Sequence, residues 1–467
     1  MKFTLNRKII GWSLAIILPA LFYFFSQHTK INWAIINFLV IFIAALVMWA
    51  FRLVPEYIPA LFIILAIMIL GLVPADIILS GYTSNSFFMA LSVFGIGSII
   101  IQSGIFYRFS LFLLKHLPHK IFLLQIVVFI LSIATTPIMT AQSSRISMLV
   151  PMINDLTEAA HLKKKQRAVN GLAMAIFSGS IYFSMIFMTG KSSNLVLYGM
   201  MPDQIKEQFT WNYWLTAALF PAALIFIVSL IQLKFGFNSN ETIDVSKDII
   251  ESKAKSLGPI KQIEWVALIS VVVMALGLIF SSKLNIQPTW LSFGVLVALM
   301  ALGIISGDSF KKNINWPFLF YLGGMVGIMQ SFQYLGIDTK FLHYMHWLVI
   351  IIGNNSYIFI FISYVFAFLA CFIFGTAAAP ALAYTILSPL ANNIHFNPWL
   401  LVFVLLMATE SWFFPYQSSY YLCFEEMTNQ FELVEHKPIL RQNAIFVMFR
   451  LLIIFASVWY WKDLGIL

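Results

Sequence analysis

Apolar runs of 17 or more residues recur along the whole of this 467-residue chain. Each is long enough for a bilayer helix of about 20 residues. In hydrocarbon every backbone N–H and C=O must be satisfied inside the protein, so a chain of such runs folds as a helical bundle. Composition excludes a soluble domain: 61% of the residues are hydrophobic and 10% charged, with mean hydropathy +0.89, where an ordinary domain is about a quarter charged. The net charge of +9 therefore reads as membrane topology and not as a nucleic-acid surface. Cys371 and Cys423 stand far apart in or beside apolar runs, which makes neither a disulfide framework nor a zinc site.

The expected fold is an all-α polytopic membrane protein, with about 11 transmembrane helices plus two re-entrant hairpins in two inverted repeats. Residues 1–103 hold four scaffold helices. The first follows Lys2, Arg7 and Lys8 like a signal peptide, but no small-x-small cleavage pattern follows it, so it reads as retained. Residues 104–235 form the first repeat unit: an amphipathic stretch that interleaves basic and aromatic residues, a hairpin over 121–160, and a helix (168–189) that breaks at GKSSN and resumes at Leu195. Residues 236–262, polar and lysine-rich, are a cytoplasmic linker. Residues 263–352 hold scaffold helices of the second half, with a second interfacial stretch at 338–352. Residues 353–467 hold the second hairpin (356–392), a helix broken at FPYQSS and the last helix. His116, His119, His343 and His346 fall in the two interfacial stretches and are expected there as interfacial contacts, not metal ligands.

The two halves parallel each other. SNSFFMALSVFGIGSIIIQSGIFYRF (84–109) matches NWPFLFYLGGMVGIMQSFQYLGIDTKF (315–341) in character. Each precedes a hairpin with a polar tip and then a broken helix. An odd number of helices per half inverts the second unit in the membrane. With a cytoplasmic N-terminus and re-entrant hairpins, 20 of the 28 Lys and Arg fall inside and 5 outside, as the positive-inside rule expects. Arg145, Lys191 and Arg450 remain within membrane segments.

Polar islands at Thr140–Arg145 and Thr189–Asn194, and their partners around Thr376 and at Phe414–Ser419, interrupt sequence otherwise fit for lipid. Irregular backbone at that depth is tolerated where it is buried in protein or lines a cavity. Such breaks at matching places in two halves point to a transporter's binding site. Their Ser, Thr, Gln and Asn either cap helix ends or supply oxygens and N–H donors to a ligand.

These segments carry a family resemblance. GYTSNSFFMALSVFGIGSIIIQSG (81–104), TGKSSNLVL (189–197) and FPYQSSYYL (414–422) resemble, in order and spacing, motifs of the divalent anion:sodium symporter family, in the superfamily of sulfate and dicarboxylate permeases. The resemblance spans residues 50 to 460. It implies 11 spanning helices, two re-entrant hairpins and a homodimer. It also implies that the hairpin tips and breaks contact substrate and sodium. The first tip maps onto Ala141, Gln142 and Ser143, with Ser144 and Arg145 following. The second maps onto Thr376 and Ala377. The breaks map onto Ser192, Ser193 and Asn194, and onto Gln417, Ser418 and Ser419. The last family Asn is replaced by Ser419 or Tyr420. The expected substrate contacts are Gln142, Ser143, Ser144, Arg145, Ser193, Asn194, Thr376, Ala377, Gln417 and Ser418. Ion coupling is expected at Ser143, Lys191, Ser192, Asn194, Glu410 and Ser419, with Na+ at Ser143 and Asn194.

Three ionisable residues carry open alternatives. Arg145 lies 18 positions before Lys163, roughly 27 Å of helix, too deep to reach the surface. Its guanidinium either grips a carboxylate or sulfate in bidentate fashion or serves Glu410 or hairpin carbonyls. Lys191 stands where the family has Thr, and its ammonium either replaces a sodium ion or lies near the outer interface. Glu410 is an intramembrane acid, either a proton site or an ion-pair partner for Arg145 or Lys191. The functional expectation is a secondary active transporter of a small divalent anion, ion-coupled, working by alternating access in a bacterial inner membrane, with lipid and a second copy as partners. A proton-coupled or ion-independent exchanger of the same fold is the alternative. A membrane enzyme would need clustered Asp or Glu, and the acids here scatter through loops; a channel would not accumulate substrate.

Overall fold

The computed structural model of the chain describes residues 2–29, 31–115, 120–237, 247–284, 286–353 and 355–467, and no β-strand occurs among them. His116, His119 and the linker residues 238–246 lie outside the described residues. The first half begins with α1 (Lys2–Ser26), α2 (Trp33–Phe51), α3 (Tyr57–Leu70), a short α4 (Ala75–Ile78) and α5 (Asn85–Ser103). Then come α6 (Ile105–Lys115), α7 (Ile121–Thr135), α8 (Gln142–Ala159), α9 (Arg167–Tyr182), α10 (Ser192–Met200), α11 (Asp203–Gln208) and α12 (Trp211–Phe237). A helix in the linker, α13 (Lys247–Ser256), leads to α14 (Gln262–Leu284), α15 (Pro288–Ala301), α16 (Gly307–Asn313), α17 (Trp316–Tyr334), α18 (Ile337–Tyr344) and α19 (His346–Ile352). The chain ends in α20 (Ser356–Asn393), α21 (Pro398–Thr409), α22 (Ser419–Gln430) and α23 (His436–Asp463).

Seven described helices are long and apolar enough to cross a membrane: α1, α2, α5, α12, α14, α20 and α23. Four shorter apolar helices, α3, α7, α15 and α21, add to them. The protein is an integral membrane protein. Large apolar side chains cover the outer faces of α1 and α14, among them Ile16, Phe24, Trp265 and Ile269. That is the surface a bilayer solvates without cost.

Hydrogen bonds set the course of the chain from α7 to α9. Gln125 Nε2, near the start of α7, donates to Ala168 O at the start of α9 (3.4 Å), and Thr136 Oγ1, past the end of α7, donates to Gly179 O late in α9 (3.3 Å). Helices α7 and α9 therefore run side by side in the same direction, and α8 between them runs back. Pro137 follows α7 at the turn, where its ring blocks continuation of the helix.

The second hairpin is one helical run with a fold in it. A straight 38-residue helix would span about 57 Å. Yet the ring of Phe359, near the start of α20, lies 4.8 Å from that of Phe396, just past its end. The reversal occurs at Gly375, whose φ of 75° and ψ of 176° interrupt the helix. That region is essentially open to glycine alone. Cys371 Sγ, late in the first arm, donates to Thr409 O at the end of α21 (3.4 Å). The first arm of α20 thus runs beside α21 in the same direction, as α7 runs beside α9.

The bases of the two hairpins lie at opposite ends of α12. Trp399, at the base of the second, packs edge-on against Trp214 near the start of α12 (5.7 Å). Gln125, at the base of the first, donates to Phe237 O, the last residue of α12 (3.4 Å). The 27 residues of α12 span about 40 Å. Helix α23 locks to α12 through Trp461 Nε1 to Ala217 O (2.8 Å) and Gln232 Nε2 to Gln442 O (2.8 Å). On the other side, α17 packs so closely on α4 and the turn after it that a methyl group at Gly327 would strike the Ile78 carbonyl. The linker is not wholly extended: Lys253 of α13 pairs with Asp155 (2.5 Å) and Glu158 (2.9 Å) at the end of α8.

Candidate functional site

The two tips and the two breaks meet around one cavity of about 230 Å³. Its lining takes Thr140, Ala141, Gln142 and Ser143 from the first tip, and Ser192 and Ser193 from the start of α10. Thr376 and Ala377 come from the second tip, and Glu410, Ser419 and Tyr420 from the second break. Each contribution except Glu410 sits at or beside the start of a helical segment: α8 begins at Gln142, α10 at Ser192, the second arm of α20 just past Gly375, and α22 at Ser419. Four helix N-termini thus present free N–H groups and partial positive charge to one small space, an arrangement suited to an anion. The opposite wall, Glu56, Asn315, Phe318 and Tyr321, comes from the loop before α3 and the start of α17.

Glu410, on the side of the tips and breaks, is a buried acid, 1% exposed. Its Oε1 takes the Lys191 ammonium at 2.5 Å and Gln142 Nε2 at 3.2 Å, and its Oε2 takes the Tyr420 hydroxyl at 2.5 Å. One carboxylate therefore ties the first tip, the first break and α22 together. Burying such a pair is tolerated only when its remaining lone pairs are hydrogen-bonded, which the three donors achieve.

The C-terminal ends of the broken helices carry the opposite partial charge, and each meets a guanidinium. Arg145 donates to Ser180 O of α9 (2.7 Å), Gly190 O of the first break (2.6 Å), Thr136 O (3.5 Å) and Met139 O of the first tip. Arg450 of α23 donates to Met407 O near the end of α21 (3.2 Å) and lies over the rings of Tyr182 and Phe446, 5.4 and 5.2 Å from their centroids. Both arginines are fully buried.

The structure brings together Gln142, Ser143, Ser192, Ser193, Thr376, Ala377, Glu410 and Ser419 on the cavity wall, with Lys191 one bond behind it. Other expected residues lie elsewhere. Arg145 faces backbone carbonyls and not the cavity. Ser144 lines a separate apolar cleft with Ile100, Phe106 and Met148. Asn194 donates to Ser184 O and Phe187 O (2.8 Å each), fixing the first break. Gln417 accepts from the Phe413 and Phe414 N–H groups (2.9 Å each), and Ser418 caps α22 by accepting from Tyr421 N (3.1 Å). The scaffold wall, Glu56, Asn315 and Tyr321, is absent from the sequence reading. Its one signal is an acid and an asparagine at helix starts, which also reads as ordinary capping.

Known proteins match this architecture. Residues 6–467 match the family described as the sodium:sulfate symporter transmembrane region. Inner membrane protein YbhI of Escherichia coli (strain K12) is 24% identical over 367 residues, covering 75% of each chain. The L-tartrate/succinate antiporter of the same strain is 21% identical over 270 residues, 56% of this chain and 55% of that protein. Among solved structures, the Alcanivorax borkumensis YdaH transporter aligns with a TM-score of 0.54 at 13% identity, over 86% of this chain and 89% of that one, a likeness of fold. With the family match running over nearly its whole length, the chain belongs to the sodium:sulfate symporter family, the membrane anion transporters also grouped as divalent anion:sodium symporters.

Proposed function

We propose that the chain is a secondary active transporter of a small divalent anion, a dicarboxylate or a sulfate-like oxyanion, working by alternating access around the cavity between the tips. The observation that carries this reading is the meeting of four helix N-termini on one polar cavity of about 230 Å³. The two helix-turn-helix units based at opposite ends of α12 support two inverted repeats, each with a re-entrant hairpin, within a bundle of about 11 spanning helices. The basic residues cluster at the base of the first hairpin, which supports a cytoplasmic N-terminus in a bacterial inner membrane. A homodimer completes the reading.

A second reading concerns coupling. Unwound carbonyls and helix C-termini are where such folds hold coupling cations. Here Thr136 O and Met139 O of the first tip and Gly190 O of the first break accept from Arg145, and Met407 O accepts from Arg450. Lys191 brings a third fixed cation to the site, against the single buried carboxylate Glu410. Asn194 Oδ1 is buried without a partner; a sodium ion placed about 4 Å from an uncompensated fixed cation would be repelled by roughly 4 kcal/mol at an effective dielectric of 20. Fixed charges thus favour anion exchange over sodium symport, and the antiporter among the relatives agrees in kind. The test is uptake of succinate and sulfate into proteoliposomes, with and without sodium and with either anion inside. Uptake driven by internal anion and indifferent to sodium supports exchange. Steep sodium dependence without counter-anion returns the protein to symport, and no uptake under any condition ends the transport reading.

A further inference from the structure

The cavity has two carboxylates on its wall, and only one is matched. Glu410 has its ammonium, hydroxyl and amide donors. The Glu56 side chain makes no hydrogen bond or ion pair among the described residues; its backbone carbonyl accepts from Trp49 Nε1 (2.9 Å). Arg52, on the same loop, reaches past it to Tyr416 O in the second break (3.1 Å) and lies against Gly375 at the second tip.

Glu56 also stands at a junction. A second cavity, about 440 Å³, is lined by Trp49, Arg52 and Phe374 and adjoins the first. The two share Glu56, Asn315, Phe318 and Tyr321. An anion moving between the wide cavity and the four helix N-termini moves along the wall the two share, which carries the carboxylate of the exposed Glu56. Ionised, that group repels a dianion there. Protonated, it is neutral and offers an O–H donor. The groups that set its charge are few: Arg52 on its own loop, Tyr321 from α17, and Glu410 with Tyr420 and Lys191 across the cavity.

We propose that Glu56 is a proton site, which takes one proton from solvent when a divalent anion binds from the side of the wide cavity and returns it when the anion leaves. The inference rests on anion binding in the tip cavity. It makes affinity on this side fall as pH rises, by up to about tenfold per pH unit above the Glu56 pKa, because one proton is bound with each anion. It also gives Glu56 a role distinct from Glu410, whose carboxylate is already committed to Lys191.

The experiment is succinate binding to the purified full chain in detergent, by titration calorimetry across pH, with proton uptake read from an indicator dye in weak buffer. The wild type is expected to take up close to one proton per succinate at the alkaline end. Glu56→Gln should hold its affinity there and lose that uptake. Glu56→Ala is a second neutral variant should the glutamine protein fail to fold, and Glu56→Asp should keep the uptake. Succinate's own titration persists in every variant and cancels in the comparison. Equal proton uptake in wild type and neutral variants overturns the role of Glu56 while leaving anion binding intact. A wild type that binds neither succinate nor sulfate overturns both.

Discussion

Arg145 shows how far a single residue could be read before the structure. Its depth was legible, because a cation so far along a helix from the basic loop at Lys163 cannot snorkel. Its partners were legible only as alternatives, an anion, Glu410 or hairpin carbonyls, because a backbone carbonyl has no sequence signature that would choose among them. The guanidinium fork fits four carbonyls on the first tip, α9 and the first break, and so pins the tip to the break. A lysine has three donors radiating from one nitrogen and cannot span those positions. Arg145→Lys should therefore lower stability by about 1–3 kcal/mol through buried carbonyls left unpaired, seen as a lower midpoint of thermal unfolding in detergent. If the residue instead contacts substrate, succinate affinity drops while the unfolding midpoint stays put. The expectation for Lys191 was closer: its ammonium stands beside the cavity and pairs with Glu410, which was one of the two readings of that acid.

At the scale of elements, the polar islands announced the tips and breaks, since uncapped polar backbone has no place in lipid. The sense of the second hairpin was harder to register. Its tip residues are mostly alanine, and the turn is one glycine in an otherwise helical run, FIFGTAAAP. Gly375 makes a sharp prediction. With φ at 75° and ψ at 176°, a side chain there costs of order 1–3 kcal/mol in backbone strain. A methyl group would also meet the Arg52 guanidinium at 2.9 Å. Gly375→Ala should move the second tip away from the scaffold and depress exchange in proteoliposomes more than it depresses expression. Exchange at the wild-type rate would show that the tip does not rely on this turn. The linker shows the converse limit. Its lysines read as a solvated loop, yet Lys253 docks α13 on Asp155 and Glu158, and Tyr107 donates to the same Asp155 (2.5 Å). The Lys253 hydrogen bond holds the Glu158 carboxyl below its usual range. Contacts between side chains about a hundred residues apart leave no local pattern to read.

For the molecule as a whole, the helical class and the lipid setting followed from apolar runs and charge, and the doubled plan is the proposal built on them. The scaffold wall did not follow, because Glu56 and Asn315 stand at helix starts where polar residues are unremarked caps. What the doubled plan requires is that the two hairpins open to opposite sides of the membrane. Their bases supply the test. Lys164, between α8 and α9, is exposed at the base of the first hairpin, and Asn392, at the end of α20, is exposed at the base of the second. The two lie toward opposite ends of α12, as the Gln125–Phe237 and Trp214–Trp399 contacts require. Lysines and arginines concentrate around the first base, so that end is expected in the cytoplasm. In a cysteine-free background, a membrane-impermeant maleimide should label Asn392→Cys in intact cells. It should label Lys164→Cys only after permeabilisation. Labelling of both from outside, or of neither, would mean that the units enter from one side. Alternating access could then no longer rest on an inverted pair, even with the cavity chemistry unchanged.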